Sequence, residues 1–187
     1  MKNQLTLFSR LAVVALIGAG LTFGVSAQAA EKEKKTDQSS PSPSKSPAKA
    51  ELSAKDKAFM KEAAKGGMME VEMGKTAQQK GKSPEVKKIG STMVADHTKA
   101  NNELMAIAKK KGVDLSKEKP EKHSMGDANF DKDYVNMMVK DHEKDLAAFQ
   151  AEAKNGTDAD VKAFASKTSA VIKKHLDMVK AAQAKMK

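Results

Sequence analysis

The sequence predicts an all-α chain, a four-helix bundle with one long crossover between its second and third helices. Three observations carry that expectation. Aromatic residues are scarce, with no Trp, one Tyr and six Phe in 187 residues, whereas strands draw on aromatic and β-branched side chains. From Leu52 onward the chain is rich in Ala, Lys, Glu and Met, all good helix formers. Capping residues and glycines then divide that stretch into four segments of similar length. The chain has no Cys, which excludes disulfides, thiolate metal sites, Cys nucleophiles, iron–sulfur clusters and lipid attachment through an N-terminal Cys.

The first segment is a targeting signal. Lys2 and Arg10 precede the apolar run Leu11 to Val25, and Ala27-Gln28-Ala29 supplies a small-residue cleavage pattern. We expect residues 1–29 to be a secretory signal peptide cleaved near Ala29-Ala30. The apolar run is shorter than the ~20 residues needed to cross a bilayer, so no transmembrane span is expected after cleavage. A bacterial periplasmic or secreted location follows. The formal charge of +10 becomes +8 when Lys2 and Arg10 are removed. Residues 30–50 carry Lys, Ser and three of the five prolines and no large apolar side chain. Such a segment cannot bury a core and reads as a disordered tether. Residues 51–187 remain for the folded domain.

The first helix is expected from Ser53, its N-cap, to Lys80, stopped by Gly81. The second follows Ser83-Pro84, an N-cap with Pro at the first helical position, and ends at Lys111 before Gly112. The third spans about Phe130 to Lys154, ending at Asn155-Gly156, and the fourth starts after Thr157 or Asp158 and reaches nearly to the C-terminus. Each is roughly 40 Å long at 1.5 Å per residue. Helices one and two, and helices three and four, are joined by a few residues, which makes antiparallel neighbours. The 18-residue link from Gly112 to Asn129 can reach roughly 60 Å when extended, enough to return along the bundle. Helices two and three then run parallel. An internal echo fits: Met93-Val94-Ala95-Asp96-His97-Thr98-Lys99 and Met138-Val139-Lys140-Asp141-His142-Glu143-Lys144 share an MVxDHxK pattern.

At 100° per residue, each helix places one metal-capable side chain in its apolar stripe. His97 aligns with Gly90, Met93, Leu104 and Ala108; His142 with Val135, Met138, Leu146 and Phe149; His175 with Phe164, Thr168, Val171 and Val179; Glu70 with Phe59, Ala63, Met73 and Ala77. Both hairpins offset their pair by about four residues, or ~6 Å, so Glu70, His97, His142 and His175 can share one layer. An uncompensated buried carboxylate is costly, so a buried Glu70 needs a cation or a donor. Asp96 and Asp141 fall at the stripe edge and Asp145 one turn from His142, where they can support the cluster; Glu72 and Asp177 point outward. Met73, Met93, Met138 and Met178 lie within a turn of the four residues. Thioether beside imidazole suits copper, although Met also fills irregular cores.

The segments Gly67-Met68-Met69-Glu70-Val71-Glu72, MVxDH ending at His97, Phe130-Asp131-Lys132-Asp133-Tyr134-Val135 with His142 following, and Lys174-His175-Leu176 resemble an exported bacterial family catalogued as domain of unknown function 4142. The resemblance covers about Ser53 to Ala184 and matches at Glu70, Glu72, His97, His142 and His175. It implies a ferritin-like four-helix bundle and no established activity. Di-iron sites of the ferritin group take a Glu-x-x-His from two helices. Here Val94, Val139 and Ile172 stand three residues before the histidines, so a ferroxidase di-iron centre is not expected.

A bundle holding one divalent ion, Fe, Zn or Cu, on three His and one Glu is the expected function, in metal handling or envelope stress. The alternatives are a structural or interaction protein with a buried Glu/His layer, a copper-binding His/Met protein, and a metal-dependent oxidoreductase. No phosphate-binding glycine loop, nucleophile elbow or hydrolase-like carboxylate pair is present, so binding is expected before catalysis. Lysine runs such as Lys109-Lys110-Lys111 could attract anionic envelope polymers or lipids. Export and the lack of an aromatic stacking platform argue against nucleic acid. His123, in the crossover, is expected to be exposed.

Overall fold

The computed structural model describes residues 52–120, 123 and 125–186. The expected signal peptide and tether lie outside the described residues. Four helices account for the regular structure: α1 (Ala54–Lys80), α2 (Pro84–Lys111), α3 (Phe130–Asn155) and α4 (Ala159–Lys185). Among the described residues, no helix is long and apolar enough to cross a membrane.

The caps form for the reasons the sequence suggests. The Ser53 hydroxyl accepts from the Asp56 N–H, the Ser83 hydroxyl from the Val86 N–H, and the Asp158 carboxylate from the Asp160 and Val161 N–H groups. Each satisfies a donor that the first helical turn leaves without a partner. Asn129, before α3, makes no side-chain cap. Instead Asp131, in the first turn of α3, accepts from the Lys82 and Ser83 N–H groups at 2.8 Å each. One carboxylate thus ties the start of α3 to the α1–α2 turn.

That tie establishes the topology. The starts of α2 and α3 lie at the same end of the bundle, where Lys185 at the end of α4 also pairs with Glu85. At the opposite end Lys110 and Lys111 of α2 pair with Asp158 and Asp160 at the start of α4. So α2 and α3 are parallel and diagonally opposed, while α1 packs on α2 and α3, and α4 on α3 and α2. This is the single-crossover arrangement of ferritin-like bundles. The crossover buries Leu115 in the core, passes over α1 through Glu118 beside Lys61 and Lys65, and returns to pair Asp127 with Lys80.

The core has two apolar halves. One holds Met73, Ile89, Met93, Phe130, Tyr134, Met138 and Val179. The other holds Met60, Leu104, Phe149, Phe164 and Ile172. On every helix the metal-capable residue lies between these two sets, so Glu70, His97, His142 and His175, all buried, form a polar layer across mid-bundle. The contact between α1 and α2 depends on small residues near that layer. A Cβ on Gly90 would stand 2.6 Å from the Gly74 carbonyl oxygen and 2.9 Å from the Ala77 Cβ, and one on Gly74 would stand 2.7 Å from the Gly90 carbonyl oxygen.

A second buried polar contact closes the far end. Asp56, fully buried, accepts from the Thr157 N–H, the Thr157 hydroxyl and the Asp158 N–H. Burial alone would raise its pKa, but these bonds and one from Glu152 pull it down to about 2. Glu152 moves the other way, to about 7, because it is buried and donates its proton to the charged Asp56. The first turn of α1 is thereby locked to the α3–α4 turn.

Two outcomes follow from this packing. Gly90→Ala gains about 1 kcal/mol of helix propensity, but overpacking against backbone costs about 1–3 kcal/mol, so the variant should be the less stable in urea. Gly66→Ala, whose new Cβ meets the Asp145 Oδ2 at 3.6 Å, an ordinary contact, should be more stable by up to ~1 kcal/mol. Equal stabilities would show that α1 and α2 are free to separate. For Glu152 the folded pKa is raised, so its contribution is full below the unfolded value of 4.5 and is lost as pH rises through about 7. Urea midpoints at about pH 5 and pH 8 should therefore fall in the wild type relative to Glu152→Gln, which keeps a donor and cannot ionise; a constant difference would contradict the shared proton.

Candidate metal centre

The three histidines reach the bundle interior from α2, α3 and α4. One ring nitrogen of each lies within 4.8 Å of the corresponding nitrogens of the other two, and among the described residues no other set of His and carboxylate side chains comes together in this way. His97 and His142 are diagonal partners with ring centroids 5.7 Å apart; His97 and His175 are 5.2 Å apart and His142 and His175 5.4 Å. The layer expected from helical phase is therefore formed by all three imidazoles.

The outward ring nitrogens define what the inward ones can do. His142 Nδ1 lies 2.9 Å from the Met138 carbonyl oxygen, which can only accept, so Nδ1 carries the proton. His175 Nε2 lies 2.8 Å from the Asp96 Oδ2 and donates to it. In neutral rings the inward atoms, His142 Nε2 and His175 Nδ1, then bear bare lone pairs, and they face each other at 3.4 Å. His97 Nε2 is buried without any hydrogen-bond partner. Burial, with the neighbouring imidazoles adding to it, lowers His97 to about 3. Burial and His175 lower His142 to about 4, against the opposing bond to Met138. Both rings are neutral near pH 7, the state that ligates metal.

This donor set fits a first-row divalent ion. Imidazole suits Zn, Cu, Fe and Ni, and a Zn–N length of ≈ 2.0–2.1 Å in tetrahedral geometry places ligand nitrogens about 3.4 Å apart. The His142–His175 pair already has that separation, and His97 must close the rest. Asp96 behind His175 and the Met138 carbonyl behind His142 are the outer partners that fix the tautomer and orientation of ligating histidines.

Glu70 lies buried in the layer its helical phase suggested, but behind His142 and outside the set of converging nitrogens. Its Oε1 lies 3.4 Å from His142 Nδ1, the outward nitrogen, whose proton goes to Met138. Both Glu70 oxygens are buried with no hydrogen-bond partner. Burial first, then the charges of Asp145 and Asp141, raise its pKa well above the usual range, which favours the neutral carboxyl. Asp145 is itself raised to about 6, by burial and by Asp141. These three carboxyls stand on the α1–α3 side, where Asp141, Asp145 and the exposed His123 line a groove of about 250 Å³. Asp96 supports His175 directly, at the stripe edge where it was expected. Met93 and Met138 are fully buried among apolar side chains of one core half. Glu72 and Asp177 are exposed.

Sequence reasoning missed Tyr134. Its ring is fully buried against Phe130, and its hydroxyl has no partner. Burial and the nearby Glu70 push its pKa up, so it stays a neutral phenol. Its position about two turns before His142 on the same helix was the available signal. Val171, expected in line with His175, is only partly buried, and Ile172 takes the core position instead.

No curated protein and no solved structure matches the chain. The family described as Domain of unknown function (DUF4142) matches residues 41–182, over all four helices, and the chain belongs to that family.

Proposed function

We propose that this protein is an exported metal-binding bundle that holds one divalent first-row ion on His97, His142 and His175. The observation that carries the reading is the 3.4 Å approach of His142 Nε2 and His175 Nδ1, two buried ring nitrogens whose opposite nitrogens already face acceptors. Two acceptors facing each other repel, and an ion between them with His97 Nε2 as third donor turns that repulsion into ligation. Glu70, expected as a fourth ligand, acts in this reading from behind His142 as a neutral carboxyl. The buried methionines pack rather than ligate, so copper is favoured by imidazole chemistry alone and not by thioether. The export signal supports a periplasmic or secreted role in metal handling or envelope stress, and the lysine-rich surface supports contact with anionic envelope polymers or lipids.

A proton can fill the same gap. A charged His175 would donate both to Asp96 and to His142 Nε2, giving a hydrogen-bonded layer with a structural role. The 2.8 Å bond to Asp96 favours this second reading as well, so the discriminating quantity is metal-dependent stability.

Untagged protein freed of metal should bind one equivalent of Zn²⁺, Cu²⁺ or Fe²⁺. At an ion concentration about 100 times Kd it should gain about 2.7 kcal/mol of stability. Loss of an outer partner alone costs 10–100-fold in affinity, so loss of a ligand in His142→Ala should weaken binding by about 100-fold or more. Stabilisation that persists in His142→Ala would place the ion elsewhere. No stabilisation of the wild type by any of these ions would favour the protonated layer.

A further inference from the structure

The layer is not sealed on every side. Between α2 and α4 a cleft of about 100 Å³ runs from the surface to His97 and His175, walled by Ala100, Thr168, Val171 and Ile172. A smaller cavity of about 10 Å³ lies deeper, and His97, Ala100, Thr168 and Ile172 line both. The inner space is about that of one water molecule. The outer one, about 100 Å³ against about 10 Å³, has room for a small polyatomic anion. The bulky, charged α1–α3 side offers no comparable approach to the histidine nitrogens, because Glu70 and His142 stand across it.

Charge decides what such a space accepts. Three imidazoles ligating through unprotonated nitrogens leave a divalent ion with its full double charge. At the rim Lys167 pairs with Glu103 at 2.6 Å, and Asp96 keeps its charge while accepting from His175. Lys99 also lines the cleft and has no ion pair among the described residues. The rim thus carries two lysines and two carboxylates, and what favours an anion is the double charge of the ion at the floor. Sites with three protein ligands keep a fourth position for water or substrate.

We propose that the ion held by the three imidazoles keeps one exchangeable position open to the α2–α4 cleft, and that this position takes a small anion. The inference rests on the metal reading above and adds the class of ligand. Binding replaces a metal-bound water by the anion, with no electron transfer; Thr168 and Ala100 limit its size, and Lys99 draws it in.

Azide is the probe and Co²⁺ the ion, because cobalt's visible spectrum reports its coordination. The full mature protein loaded with one Co²⁺ should change spectrum saturably as azide is added. Ala100→Leu and Val171→Leu both narrow the cleft without touching a ligand. They should keep their Co²⁺ affinity and raise the azide Kd at least tenfold, and Lys99→Ala should raise it several-fold. If Ala100→Leu does not fold, Val171→Leu decides. Unchanged azide affinity in the narrowed variants would overturn the cleft as the route. A protein that holds one Co²⁺ but gives no azide response would overturn the open position while leaving the metal reading intact. A protein that takes up no Co²⁺ would overturn both.

Discussion

The structure is organised around a buried conflict: two imidazole nitrogens that, in neutral rings, the protein orients lone pair to lone pair in mid-bundle. The orientation is imposed from outside the pair. Met138, one turn before His142, offers a carbonyl that its own helix leaves able to accept a second bond, and it captures Nδ1–H. Asp96, next to His97 on the neighbouring helix, captures Nε2–H of His175. Each outward bond is favourable, and in neutral rings the two together leave the inward nitrogens without protons. A buried acceptor without a donor costs about 1–3 kcal/mol, and His97 Nε2 and both Glu70 oxygens add to the same account of unmet polarity. The two apolar halves of the core must sustain that layer, and they can do so because they flank it on all four helices.

Topology makes the convergence possible. The repeated MVxDHxK segments sit on parallel helices, so each presents its histidine toward the shared axis with the same polarity. Their following Asp-His pairs then diverge in use: Asp96 serves a histidine on α4, whereas Asp141 faces the α1–α3 groove and acts on Glu70 and Asp145 through its charge. Gly74 and Gly90 let α1 and α2 approach until backbone meets backbone, and this close contact lies one to two turns from the layer. The Asp131 bonds at one end and the Asp56–Thr157–Glu152 cluster at the other keep the hairpins in register. A shift of one turn, about 5.4 Å, would take any histidine out of reach of the others.

Much of this was legible in the sequence because it depends on local rules. Ser53, Ser83, Asp158 and the glycines at 81, 112 and 156 mark helix ends through backbone donors that need partners. The length of the link after Gly112 excludes a tight turn. The phase of His97, His142 and His175 against Met93, Met138 and Val179 identifies the buried face. What escaped depends on contacts between distant residues. The helical phase of Glu70 could not show which nitrogen of His142 it would meet. Asp56 and Glu152 share a proton only because the start of α1 meets the α3–α4 turn about a hundred residues later. Val171 left the core because the gap between α2 and α4 opens there, which no single-helix projection contains.

The central claim is that three imidazole nitrogens, and neither Glu70 nor a methionine, hold the ion. X-ray absorption at the metal edge of protein carrying one Zn²⁺ tests it most directly. The account predicts a nearest shell of nitrogen and oxygen at ≈ 2.0–2.1 Å, with the outer-shell scattering of three imidazole rings that falls to two in His97→Ala. A sulfur shell near 2.3 Å, or an oxygen shell with no imidazole scattering, would contradict it.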